Sequence, residues 1–267
     1  MSDKDLQNIE SLSDAFPVIR DVGPSNILNW LQAGVKDTRR GGLASLFYGV
    51  FFAAAGWLMQ VVFSEAHGLF AGLTTGFLLL GPFLAMGLYD LSRRMELGEQ
   101  PKLRPSVTAW HSNSLNVGLF AGLLVVVLLI WARASLVIFA LFFEGGLPTF
   151  TDVVLNVITL KQPTFAIMYF AVGGGFAAFV FAISVVAVPL MADRKTNAIT
   201  ASIASIMACT RNPVTMLLWG FCIVVLVGFG FATHFLGLII TMPIVGHATW
   251  HAYRDMVEAD TPHKINT

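Results

Sequence analysis

His247 and His251 stand four residues apart in the closing stretch Pro243 to Arg254. On a helix, that spacing turns both imidazoles to one face, where they could share a metal ion or pass a proton. Two earlier prolines carry related residues at matching offsets. Asp193 follows Pro189 by four residues, as His247 follows Pro243, and Asp90 follows Pro82 by eight, as His251 follows Pro243. If the three span ends lie level, Asp193 is level with His247 and Asp90 with His251. Two histidines and two aspartates suit Zn²⁺, Fe or Mn, with His111 a further ligand, and haem is the other cofactor such histidines serve. The pair lacks the glutamate of an H-E-x-x-H motif, and histidines beside Trp250 and Tyr253 also anchor helix ends at a membrane interface. Metal or haem binding, anchoring, and proton relay or gating all stay open.

Arg133 interrupts an otherwise apolar run, and Glu144 lies eleven residues on, near the same helical face. They form an internal ion pair, or Arg133 snorkels to the headgroups. Gly173-Gly174-Gly175 follows no strand, so it reads as a surface for close helix packing, not a phosphate loop. The sequence contains no G-x-S-x-G, no Walker loop and no paired carboxylate in an aqueous domain. Cys209 and Cys222 form no C-x-x-C.

The elements that must position these residues are membrane spans. The chain is 56% hydrophobic and 12% charged, about half the charge of a soluble domain. Apolar runs of membrane-crossing length recur at about 43–63, 68–91, 117–143, 164–191, 214–231 and 235–253. The third would be about 40 Å long as a helix, more than a bilayer core of about 30 Å requires. The expected fold is all-α: six transmembrane helices in three hairpins (about 43–91, 117–191 and 214–253), each preceded by a cytoplasmic interfacial helix. Residues 1–24 read as a loose cytoplasmic tail without a cleavable signal, 25–256 as the membrane domain and 257–267 as a C-terminal tail. Ser25 or Asn26 is expected to cap a surface helix that places Trp30 in the headgroup layer. A short surface helix is expected over 153–160, and another over 197–207 resting on the bilayer.

Fourteen of the sixteen Lys and Arg residues fall in the segments that would share one side. That places both termini in the cytoplasm. Zero net charge removes any argument for a nucleic-acid partner. The proline offsets, with Arg40, Asn113 and Arg211 each preceding a Leu and a Gly at equal spacings, suggest a threefold repeat around a polar vestibule.

Val22-Gly23-Pro24, Trp30-Leu31, Gly34, Gly81-Pro82, Tyr89-Asp90 and the run from Gly246 to Asp255 together resemble a bacterial family of predicted integral membrane proteins of unknown function. The resemblance spans about residues 20–256. Some members are labelled cytochrome c oxidase subunits. A haem–copper catalytic subunit is similar to a twelve-span bundle with six histidine ligands, whereas this chain has six spans and six histidines in all, His263 among them. The first function expected is therefore a non-enzymatic inner-membrane accessory or assembly protein, working through a protein partner or as a homo-oligomer. A small transporter or channel comes second, and a metal or haem protein third.

Overall fold

A computed structural model describes residues 16–65, 83–143 and 162–258. The described elements are helical: α1 Asn26–Gly41, α2 Leu43–Glu65, α3 over 83–96, and α4 Leu103–Val107 with a 3₁₀ turn at Ala109–Asn113. There follow α5 Ser114–Phe142, α6 Pro163–Ser184, α7 Ala187–Arg194, α8 Ala198–Arg211, α9 Pro213–Ala232 and α10 Leu238–Met256. Among the described residues, four helical stretches are long and apolar enough to cross a membrane: Leu43–Val61, Leu103–Phe142, Pro163–Arg194 and Pro213–Ala232. They contain the first, third, fourth and fifth expected spans. Most of the second, with Pro82, lies outside the described residues, as do Glu144, the expected helix over 153–160, and His263. The sixth expected span is a 19-residue helix, α10, but its second half carries His247, Thr249, His251, Arg254 and Asp255 and lowers its mean hydropathy.

That polar half does not face lipid. Val245 to Trp250 are all buried, and α1, α2, α7 and α9 pack around α10. Close approach depends on two glycines. A Cβ at Gly34 of α1 would stand 2.6 Å from the Ile244 carbonyl oxygen. A Cβ on Gly49 of α2 would overlap the Ile239 backbone. Pro243 has no N–H for the Ile239 carbonyl four residues before it, so that carbonyl turns toward Gly49 and the helices meet backbone to backbone.

The fourth expected span is interrupted rather than continuous. A turn at 185–186 separates α6 from α7, two residues ahead of Pro189. The Val186 N–H freed there donates to Ser205 Oγ of α8 at 3.1 Å. The buried side of α8 is Ala201, Ala204, Ser205 and Ala208, small enough for tight contact, and Asn197 caps it by accepting from the Thr200 N–H at 2.8 Å.

Three sequence expectations need correction. Trp30 is not in a headgroup layer: it is 1% exposed, edge-on to Trp219 of α9 at 5.8 Å, and its Nε1–H donates to Asp255 at 2.6 Å. The apolar stripe of α1 is spent on protein. Ser25 precedes α1 without a side-chain cap, and Asn26 reaches Asp255 instead. Nor are residues 16–24 a loose tail. Ile19 pairs antiparallel with Val257, with Arg20 N–H donating to Met256 O at 2.7 Å and Glu258 N–H to Val18 O at 3.0 Å. Asn212 brackets the same strap, accepting from the Val22 N–H at 2.8 Å and donating to Arg20 O at 3.1 Å. Both described chain ends therefore sit at one end of the bundle.

Candidate functional site

α10 delivers His247 and His251 to one side, as their spacing requires, and α1, α2 and α3 supply what they meet. His247 is fully buried, with Nδ1 2.7 Å from Ser92 Oγ and Nε2 2.9 Å from Ser45 Oγ. Ser92 in turn donates to Asp37 Oδ2 at 2.9 Å, and His251 Nε2 lies 2.8 Å from the same oxygen. With Asp37 ionised, one arrangement of protons gives each of these four bonds a donor and an acceptor. The Ser92 hydroxyl points to Asp37, so Ser92 accepts from Nδ1–H of His247, and Nε2 accepts from the Ser45 hydroxyl. The ring is complete in its neutral Nδ1–H form. His251 donates Nε2–H to Asp37.

Burial works against the Asp37 carboxylate, but hydrogen bonds from His251 and Ser92, together with the two imidazoles, outweigh it and hold its carboxyl below the usual range. The serine–histidine–aspartate grouping is not a nucleophile set. The aspartate holds the serine rather than the imidazole of His247 that the serine meets, and Ser92 is itself buried.

The aspartates expected as co-ligands lie elsewhere. Asp90 takes Arg94 Nε at 2.6 Å on its own helix. Asp193 accepts from Tyr253 Oη at 2.7 Å and has Arg93 and Arg254 each at 3.5 Å. Glu96 joins this outer cluster, accepting from Arg254 Nε at 3.2 Å and Trp250 Nε1 at 3.3 Å. His111 is exposed, against the Thr108 carbonyl. The structure brings His247 and His251 together with Asp37, not with Asp90 and Asp193. Among the described residues, no group of three or more His, Cys, Asp or Glu side chains is arranged to hold a metal ion. Anchoring at a headgroup layer does not describe the pair's neighbours either, since Trp250 and Tyr253 are buried in protein. Arg133 is exposed on α5, and its expected partner Glu144 lies outside the described residues.

Sequence reasoning missed Asp37, Ser45 and Ser92. For Asp37 a signal existed: Ile27, Trp30, Gly34, Asp37, Thr38 and Gly41 follow one helical stripe, and all are buried. The two serines have no such signature.

Two grooves open sideways from the bundle. One, of about 700 Å³, lies between α2 and α10, lined by Val50, Ala53, Trp57, Phe235 and Ile239 with Gln60 and His234. The other, of about 450 Å³, lies between α5 and α6, lined by Leu124, Trp131, Gly173 and Phe176. Cys209 on α8 is a free thiol that burial pushes up to about 11, so it is inert.

Long apolar helices with a polar cluster packed at one end describe an integral membrane protein. Residues 69–193 match the family model of a predicted integral membrane protein (DUF2189). The match takes in Asp90, Ser92 and Asp193, whereas Asp37, Ser45, His247 and His251 lie outside it. No curated protein and no solved structure matches the chain.

Proposed function

We propose that this chain is a non-enzymatic, six-span protein of the bacterial inner membrane, with both termini cytoplasmic, that serves as an accessory or assembly partner of a larger membrane complex. One observation carries the reading: the side chains that could do chemistry are bonded to one another. His247 has a serine on each ring nitrogen, and Asp37 takes both Ser92 and His251. Both ring nitrogens of His247 are occupied, and the two grooves are lined chiefly by apolar side chains. A surface for helix partners is present, because a Cβ on Gly174 or Gly175 of α6 would meet nothing within 4 Å among the described residues. Purification in mild detergent tests the proposal. A stoichiometric partner protein supports it, with respiratory complexes the first to examine; a monomer or homo-oligomer without partners contradicts it.

Transport is the second reading. It is favoured by the meeting of Arg93, Asp193 and Arg254, from the ends of the three expected hairpins, in one ion-pair cluster. A threefold vestibule would be closed by that cluster and would open when it parts. Solute flux into proteoliposomes that rises with Asp193→Asn supports this reading, and absence of flux in both forms opposes it.

A further inference from the structure

Lys36, Arg39 and Arg40 occupy one exposed face at the C-terminal turn of α1, at i, i+3 and i+4. None of the three has an ion-pair partner among the described residues. The opposite face of the helix is fixed: Trp30 is bonded to Asp255, Asp37 to Ser92 and His251, and Gly34 lies against α10. The three cations are therefore carried on a rigid support, which lowers the ordering cost of binding. Immediately beyond them the chain turns through Gly42, whose φ of +51° falls in the region that favours glycine. It then enters α2 on Leu43, which is 86% exposed, with Phe47 and Val50 also exposed on the following turns. A cationic shelf thus sits at the head of an apolar, lipid-facing stripe.

We propose that Lys36, Arg39 and Arg40 bind the phosphate of an anionic phospholipid whose acyl chains lie along Leu43, Phe47 and Val50. The guanidinium forks suit phosphate oxygens, and the adjoining stripe suits a lipid tail better than a soluble anion or a peptide. Neutralising the helix dipole would explain some positive charge at this end, but it requires neither an arginine fork nor the adjoining lipid-facing stripe.

The test is the thermal unfolding of the full chain in nonionic detergent, titrated with phosphatidylglycerol, phosphatidylcholine or inorganic phosphate. Phosphatidylglycerol is expected to raise the apparent Tm, and the other two are not. Lys36→Gln/Arg39→Gln/Arg40→Gln should keep the lipid-free Tm while moving the phosphatidylglycerol midpoint up by about 100-fold, roughly fivefold per cation. Arg39→Lys/Arg40→Lys, which keeps the charge and so is safe for folding, should give an intermediate shift because the forks are lost. Equal stabilisation by phosphatidylcholine, the same shift from phosphate alone, or an unchanged midpoint in the glutamine or lysine variants would overturn the proposal.

Discussion

Ser92 of α3 and His247 of α10, 155 residues apart in sequence, meet at 2.7 Å in a fully buried position. The same serine donates its own hydroxyl hydrogen bond to Asp37, so a single hydroxyl joins three helices. Ser45, Ser92 and His247 have been taken out of water, and removing one partner strands another. Ser92→Ala should cost about 2–3 kcal/mol of stability, because Asp37 and His247 each lose a partner. Ser45→Ala strands only Nε2 of His247 and should cost about 1–2 kcal/mol. Thermal unfolding of the two variants in detergent checks that order.

Acid sensitivity follows from Asp37. Its folded-state carboxyl titrates below the usual value of 3.8, so its contribution to stability is fully present above about pH 4 and is lost as the pH falls through the folded value. Asp37→Asn should lower stability at neutral pH and flatten the acid limb of the stability curve. An unchanged acid limb would show that the carboxylate is not the titrating group.

The outer cluster should behave differently. Asp193 is bonded by side chains that reach solvent, Arg93 being 44% and Arg254 32% exposed, and such ion pairs contribute about 0–1 kcal/mol. Asp193→Asn keeps an acceptor for Tyr253 and should cost less than about 1 kcal/mol, measurably less than Ser92→Ala.

Glycines divide in the same way. Gly49→Ala puts a methyl group into the Ile239 backbone, so it should cost about 1–3 kcal/mol or prevent assembly. Gly118→Ala and Gly122→Ala on α5 meet nothing within 4 Å among the described residues, and should be neutral or raise stability by up to about 1 kcal/mol through helix propensity. Expression level and Tm of the three variants distinguish them.

What could be read from the chain alone follows from what lipid demands. α2, α5, α6 and α9 needed long apolar runs because nothing in hydrocarbon satisfies a polar side chain, and their positions were plain. α1 was plain as a helix, yet its apolar stripe does not say whether Trp30 meets lipid or another helix. The answer lies at Trp219 and Asp255, about 200 residues away in sequence. The same holds for His247. Its spacing from His251 fixed a shared face, whereas Asp37 and Ser45 come from helices whose approach depends on Gly34 and Gly49, and Ser92 from a helix packed against Gly246. The proline offsets put Asp193 level with His247, but Asp193 went to Tyr253, Arg93 and Arg254 rather than to the histidines.

The most direct test concerns α10, which the six-span proposal requires to cross the membrane although its polar half is buried in protein. Single cysteines at Glu99, Lys195, Thr233 and Glu258, in a chain with Cys209 and Cys222 replaced by alanine, are treated in intact cells with a membrane-impermeant maleimide. Thr233→Cys should label from outside, while Glu99→Cys, Lys195→Cys and Glu258→Cys should label only after the membrane is opened. Labelling of Thr233→Cys and Glu258→Cys from the same side would mean that α10 does not cross, and the six-span account would fail.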